Sequence, residues 1–178
     1  MSKEYSARRL DVQSFAEEGA RLEGGGTVGQ HERLLAETDG RGGETPLRWV
    51  AEGALRNPGH VEPEVWLHLQ AHATLPLTCQ RCLNPVEVPV EIDRDFRFVA
   101  DEATAAAEDD EAEEDLLALS KAFDVVELVE DEILMALPVA PMHDVCPEPV
   151  RMSAGDVVPD APRENPFAVL QKLRQGGS

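Results

Sequence analysis

A chain of 178 residues with 42% apolar side chains is long enough to bury one sizeable core, which excludes a wholly disordered protein. Sixteen Lys and Arg against 35 Asp and Glu leave a formal charge of −19, which repels phosphate backbones and anionic bilayers and excludes a general basic nucleic-acid binder, of DNA above all. Thirteen Gly and 13 Pro disfavour long helices, no apolar run reaches the roughly 18–20 residues of a membrane span, and MSKEYSARRLDVQ at the start lacks a signal-peptide stretch, so a cytoplasmic protein without a membrane partner is expected.

Residues 1–46 read as an N-terminal helical segment. Asp11 stands at an N-cap position before Val12, Phe15, Ala16, Gly19 and Ala20, whose three- and four-residue spacing predicts a helix ending ahead of Gly24. GGGTVG at 24–29 has neither a preceding strand nor the Lys-Ser/Thr ending of a phosphate cradle, and reads as a flexible linker. A short helical turn is predicted over 31–36.

Residues 47–99 read as a β-rich core. The period changes to two where Trp49, Ala51, Gly53 and Leu55 alternate with Arg48, Glu52 and Arg56. Longer alternation predicts strands over 64–78 and 86–98. In the first, Val65, Leu67, Leu69, Ala71, Ala73, Leu75 and Leu77 oppose Trp66, His68, Gln70 and His72; in the second, one parity from Val86 to Phe98 is interrupted only by Arg94. Joined by CQRCLNP, the two read as an antiparallel hairpin, with Pro76, Pro85 and Pro89 favouring an edge position or bulges near its tip.

Residues 100–116 read as an acidic disordered loop: DEATAAAEDDEAEED holds nine acids, no base and only alanine as apolar material. Such a segment either keeps the chain soluble or attracts a basic partner. Residues 117–178 read as a helical and coil C-terminal part. Asp124 and Glu127 have capping-box spacing, Val129, Ile133, Ala136 and Leu137 form a helical stripe closed by Pro138, and VEDE at 129–132 reads as a solvated helix face. After a Pro-rich coil, Asn165 and Pro166 open a short amphipathic helix carrying Phe167, Leu170 and Leu173. The whole is expected to be a single α+β domain, an antiparallel β-sheet with a long central hairpin and peripheral short helices.

Cys79 and Cys82, at the inferred turn, have the spacing of a zinc knuckle, and His143 with Cys146 is the pair that would complete a Cys3His tetrahedron. Ordinary reduced thiols fit the same residues, so the cofactor is either none or zinc. A redox Cys-x-x-Cys fits less well, because strands flank it in place of the helix N-terminus that lowers a reactive thiol's pKa. GxSxG, a P-loop and HExxH are absent, and an enzyme is not expected. Trp66, His68 and His72, with Arg81, Arg94 and Arg97, offer a local stacking and cationic surface for single-stranded RNA or another partner; the solvent side of a sheet, or the underside of a packed helix, is the reading that the net charge favours for them.

Three stretches in series, LTCQRCLNPVEVPV at 77–90, FDVVELVEDEILMALPVAPMHDVC at 123–146 and NPFAVLQKL at 165–173, resemble the YceD family of bacterial large ribosomal RNA subunit accumulation proteins. The matching positions are Cys79, Arg81 and Cys82, then Glu130, Asp131, Glu132, Leu137, Pro138, Pro141 and His143, then Asn165, Pro166 and Phe167. The resemblance implies a non-enzymatic ribosome biogenesis factor needed for synthesis, processing or stability of 23S ribosomal RNA. Its partner would be that RNA or its precursor, met directly or through basic ribosomal proteins or assembly factors. The competing reading is a small zinc-binding or protein–protein adaptor unrelated to RNA. The net charge favours an acidic surface meeting a cationic protein over a confined basic patch meeting RNA.

Overall fold

The computed structural model describes residues 4–57, 63–108 and 112–148, so the helix predicted from Asn165 lies outside the described residues. The chain divides into two units between Cys146 and Pro147, and the elements below belong to the first. In order they are α1 (Val12–Glu17), β1 (Arg21–Thr27), a 3-10 turn (Val28–Gln30), α2 (Glu32–Glu37), β2 (Pro46–Arg56), β3 (Glu64–Thr78), β4 (Pro85–Val99), α3 (Glu102–Glu108), β5 (Asp115–Ala118) and α4 (Val125–Met135). The strands form one sheet in the order β1-β2-β3-β4-β5, antiparallel except for the parallel β4–β5 pair. This is an α+β fold built on the expected hairpin.

Period-two alternation sets which face of the sheet is covered. Leu67, Leu69, Ala73 and Leu75 of β3 are fully buried, and Val90, Ile92, Phe96 and Phe98 across from them on β4 nearly so. Each such large side chain contributes about 1.5–3 kcal/mol by leaving water. Phe15 and Ala16 of α1 and Val125, Val129 and Ile133 of α4 belong to the same core. Helix α1 lies so close to β2 that a Cβ on Gly53 would sit 2.6 Å from Phe15 Cδ1. Beyond Ala73, β3 has no β2 partner, so Pro76 lies on an edge stretch, and β5 pairs only with Phe96–Val99 of β4, which leaves Pro89 on another.

Three expectations are corrected. GGGTVG is not a linker: Gly24, Gly25 and Gly26 are strand β1, paired with Trp49, Arg48 and Leu47. The helix before it stops at Glu18, and Gly19 at φ 55 turns the chain into the strand. The Trp49 ring occupies the space that a side chain at Gly24 would need, so packing explains this glycine better than flexibility does.

The acidic segment is not simply a solvated loop. Asp101 accepts a hydrogen bond from Thr104 N at 2.8 Å, and the alanines that follow, the best helix formers, make α3. Ala105 packs with Val99 and Leu116, which brings β5 alongside β4. Arg97 donates to Glu114 at 2.7 Å and to Glu108 at 3.2 Å, offsetting part of the local repulsion.

Asp124 caps α4 as predicted, accepting from Val126 N at 2.9 Å and Glu127 N at 3.0 Å. VEDE is not a solvated face, however. Glu130 accepts from the backbone N–H groups of Arg33, at 3.0 Å, and Leu34, and so caps α2, whose own N-cap His31 makes no side-chain cap bond. Glu132 is 3% exposed and accepts from Arg94 at 3.0 Å. Burial raises the Glu132 pKa, and the Arg94 guanidinium opposes that rise. Among the described residues no helix is long and apolar enough to cross a membrane.

Candidate metal centre

The β3–β4 connection is a tight knuckle. Cys79 N donates to Asn84 O and Leu83 N to Cys79 O, both at 2.9 Å, so residues 79–84 close on themselves just past the last strand pair, Thr78 with Pro85. Leu83 takes φ 61, a left-handed conformation that a side chain makes costly. The coil after α4 returns to this tip, where Gln80 N donates to Pro141 O at 2.9 Å.

That return brings two pairs together from 61 residues apart. The ligand atoms of Cys79, Cys82, His143 and Cys146 all lie within 4.8 Å of one another, with Cys82 Sγ 3.4 Å from His143 Nδ1. Cys79 is fully buried, Cys82, His143 and Cys146 are half-buried, and all three thiols are free. Burial by itself raises the Cys79 pKa, but N–H groups of Cys82, His143 and Arg81 and the His143 ring outweigh it and lower the thiol to about 5. Cys146 is pushed the other way, by burial and then by Cys82 and Cys79 beside it. Three soft sulfurs and an imidazole in such a cluster are chemically suited to a tetrahedral zinc ion. Cys79 follows a strand, so the helix N-terminus of a redox pair is missing here.

The residues grouped as a stacking and cationic surface are only partly brought together. Trp66, His68, His72 and Arg97 share the face of the sheet away from the core, as the cross-strand pairs Trp66 with Arg97 and His68 with Asp95 require. Arg94 belongs to the opposite, covered face, where it meets Glu132 and Asp115. Arg81 stands in the knuckle, with Nη2 4.0 Å from Met142 Sδ. The outward face is of mixed charge. Arg56 donates to Asp95 at 2.8 Å and lies 3.8 Å over the Trp66 ring, whose Nε1 donates to Glu64. Both ring nitrogens of His68 face carboxylates, Asp95 at 2.9 Å and Asp93 at 3.4 Å. Burial would raise Asp95, but Arg56 and His68 together hold its carboxyl below the usual value.

One feature of the tip escaped sequence reasoning. Leu83, Val139, Met142 and Val145 are 73%, 104%, 51% and 85% exposed, apolar side chains on the hairpin turn and on the coil that carries His143 and Cys146. Nothing in the local pattern announces it, because the hairpin turn and the coil meet only in the folded chain.

The model of the family described as large ribosomal RNA subunit accumulation protein YceD matches residues 67–174. The chain belongs to the YceD family. It is 35% identical over 105 residues to the large ribosomal RNA subunit accumulation protein YceD of Haemophilus influenzae, an alignment covering 56% of this chain and 59% of that relative. No solved structure matches the chain. The YceD match begins in β3 and runs through the knuckle, α4 and the returning coil, so it contains all four residues of the cluster. Several YceD motif positions acquire structural partners: Glu130 holds α2, Glu132 holds Arg94, Pro141 receives the knuckle's N–H, and His143 joins the thiols. Asn165, Pro166 and Phe167 lie outside the described residues.

Proposed function

We propose that this protein promotes accumulation of 23S ribosomal RNA as a cytoplasmic, non-enzymatic factor in large-subunit biogenesis. The observation that carries the reading is membership of a family described by that role, through a match that includes the hairpin tip and α4. A small adaptor unrelated to RNA is the competing class, and the family membership counts against it.

The route is contact with a cationic protein or assembly factor on the precursor particle. A chain of net charge −19 gains little from counterion release on naked RNA. On the outward sheet face Arg56 and Arg97 are paired with carboxylates, and Arg56 covers Trp66, which leaves 9% of that residue exposed. At the tip the exposed Met142 lines a surface pocket with Glu87 and Asp144, a combination that suits a basic, partly apolar protein surface.

Deletion of the gene should lower mature 23S RNA, or raise its precursor, relative to 16S RNA, measured by RNA electrophoresis and hybridisation. Normal levels and normal large-particle yield would overturn the reading. The purified protein should co-sediment with large-subunit precursors, while its binding to a bare 23S fragment should disappear at physiological salt. Tight, salt-resistant binding to bare RNA would sink the protein-mediated route.

A further inference from the structure

We propose that Cys79, Cys82, His143 and Cys146 bind one Zn²⁺ in a closed tetrahedral site that clamps the Pro-rich coil after α4 onto the tip of the β3–β4 hairpin. The argument starts from distance. Tetrahedral zinc with thiolate and imidazole ligands places its sulfurs about 3.8 Å apart and a sulfur about 3.6 Å from the nitrogen. The four ligand atoms already lie within 4.8 Å of one another, and the Cys82 to His143 separation is 3.4 Å. Side-chain adjustments of a few tenths of an ångström to one ångström would close the site.

Ligand chemistry selects the ion. Three thiolates with one imidazole favour zinc over magnesium or calcium, which take oxygen ligands. Four protein ligands leave no position for water or substrate, so the site is structural. The sulfurs bind as thiolates, and any protons they still carry go to solvent. A disulfide is the poorer use of the cluster, since it would join two of three sulfurs and leave the third and the His143 ring without a role.

The coil itself shows why a clamp is needed. Val139, Met142 and Val145 are more than half exposed, so burial of these side chains does little to hold residues 139–145 in place. Gln80 N to Pro141 O is the backbone hydrogen bond tying this stretch to the knuckle among the described residues. One hydrogen bond does not offset the ordering entropy of such a stretch. The zinc site is independent of the ribosomal reading: it concerns metal content and the order of one segment, and it stands or falls whether or not 23S RNA depends on the protein.

The full-length protein, purified without a metal-affinity tag from zinc-supplied cells, should contain one zinc per chain by elemental analysis. Cobalt exchanged for zinc should give the intense visible bands of tetrahedral Co²⁺ with thiolate-to-metal charge transfer. Cys82→Ser and Cys146→Ser should each weaken metal binding by at least about tenfold. His143→Cys should retain the metal and strengthen the charge-transfer bands. Should the serine variants fail to fold, chelation of the wild type supplies the second readout, because Gln80 N–H should then exchange faster while Leu69 N–H stays protected. Metal-free protein that takes up neither zinc nor cobalt under reducing conditions, an octahedral cobalt spectrum, or full metal affinity in Cys146→Ser would each overturn the proposal.

Discussion

In its middle, the β3–β4 hairpin buries Leu67, Leu69 and Phe96 under α1 and α4, and every cross-strand neighbour on that face is apolar except Arg94. At its tip, a dozen residues along the same two strands, Leu83 is 73% exposed and the adjoining coil buries few of its apolar side chains. The middle is held by non-directional burial, which tolerates small shifts and costs most when volume is removed. The tip depends on a few directional contacts among Cys79, Cys82, His143, Cys146, Gln80 and Pro141, which tolerate water but not loss of a partner. The family match includes both regions, and at the tip Leu83, Met142 and Val145 leave apolar surface exposed next in sequence to members of the partly buried cluster.

The contrast can be broken from either side. The largest effect should come from Leu69→Ala, which empties a fully buried site and should destabilise the fold by about 2–5 kcal/mol in denaturant titrations. A loss below about 1 kcal/mol would mean that the hairpin's middle is not the principal core.

Arg94→Met should come next, because it strands the Glu132 carboxylate at 3% exposure. We expect a loss of about 2 kcal/mol near pH 7, less than for a fully buried pair because Arg94 is itself 43% exposed. Glu132 already has its pKa raised by burial, and removing Arg94 raises it further. A carboxyl whose folded-state pKa lies above its unfolded value contributes stability below the unfolded pKa, and that contribution is lost as pH rises through the folded pKa. The variant should therefore approach the wild type on acidification, and adding Glu132→Gln should abolish the difference in pH slope. Parallel stability-versus-pH curves for Arg94→Met and the wild type would refute this account.

The smallest effect belongs to the tip. Leu83→Gly relieves the left-handed strain at φ 61 but adds freedom to the unfolded chain, so a gain of under about 1 kcal/mol is expected in thermal melts. A clear loss would show that the exposed Leu83 side chain is held by contacts within the chain.

Local signals carried much of this molecule. Alternation at period two was sufficient for β2, β3 and β4 and for which side of them faces the core, because one covered face demands it over 15 residues of strand. The Asp11 and Asp124 caps were also legible, since a cap acts on N–H groups two or three residues away. The cysteine and histidine spacings named the four members of the cluster. Tertiary structure decided the rest. Gly24 is strand because Trp49 occupies its missing side chain's place, and α3 and β5 emerge from an acidic run because Arg97 and the Val99–Ala105–Leu116 contact offset its repulsion. Glu130 caps a helix 97 residues away, and Glu132 meets an arginine 38 residues away. Period and capping are interactions along the chain, readable in a window of a few residues. Charge neutralisation, close packing on glycine and the convergence of three cysteines and a histidine are interactions across it, and these exist only once the sheet has brought distant segments together.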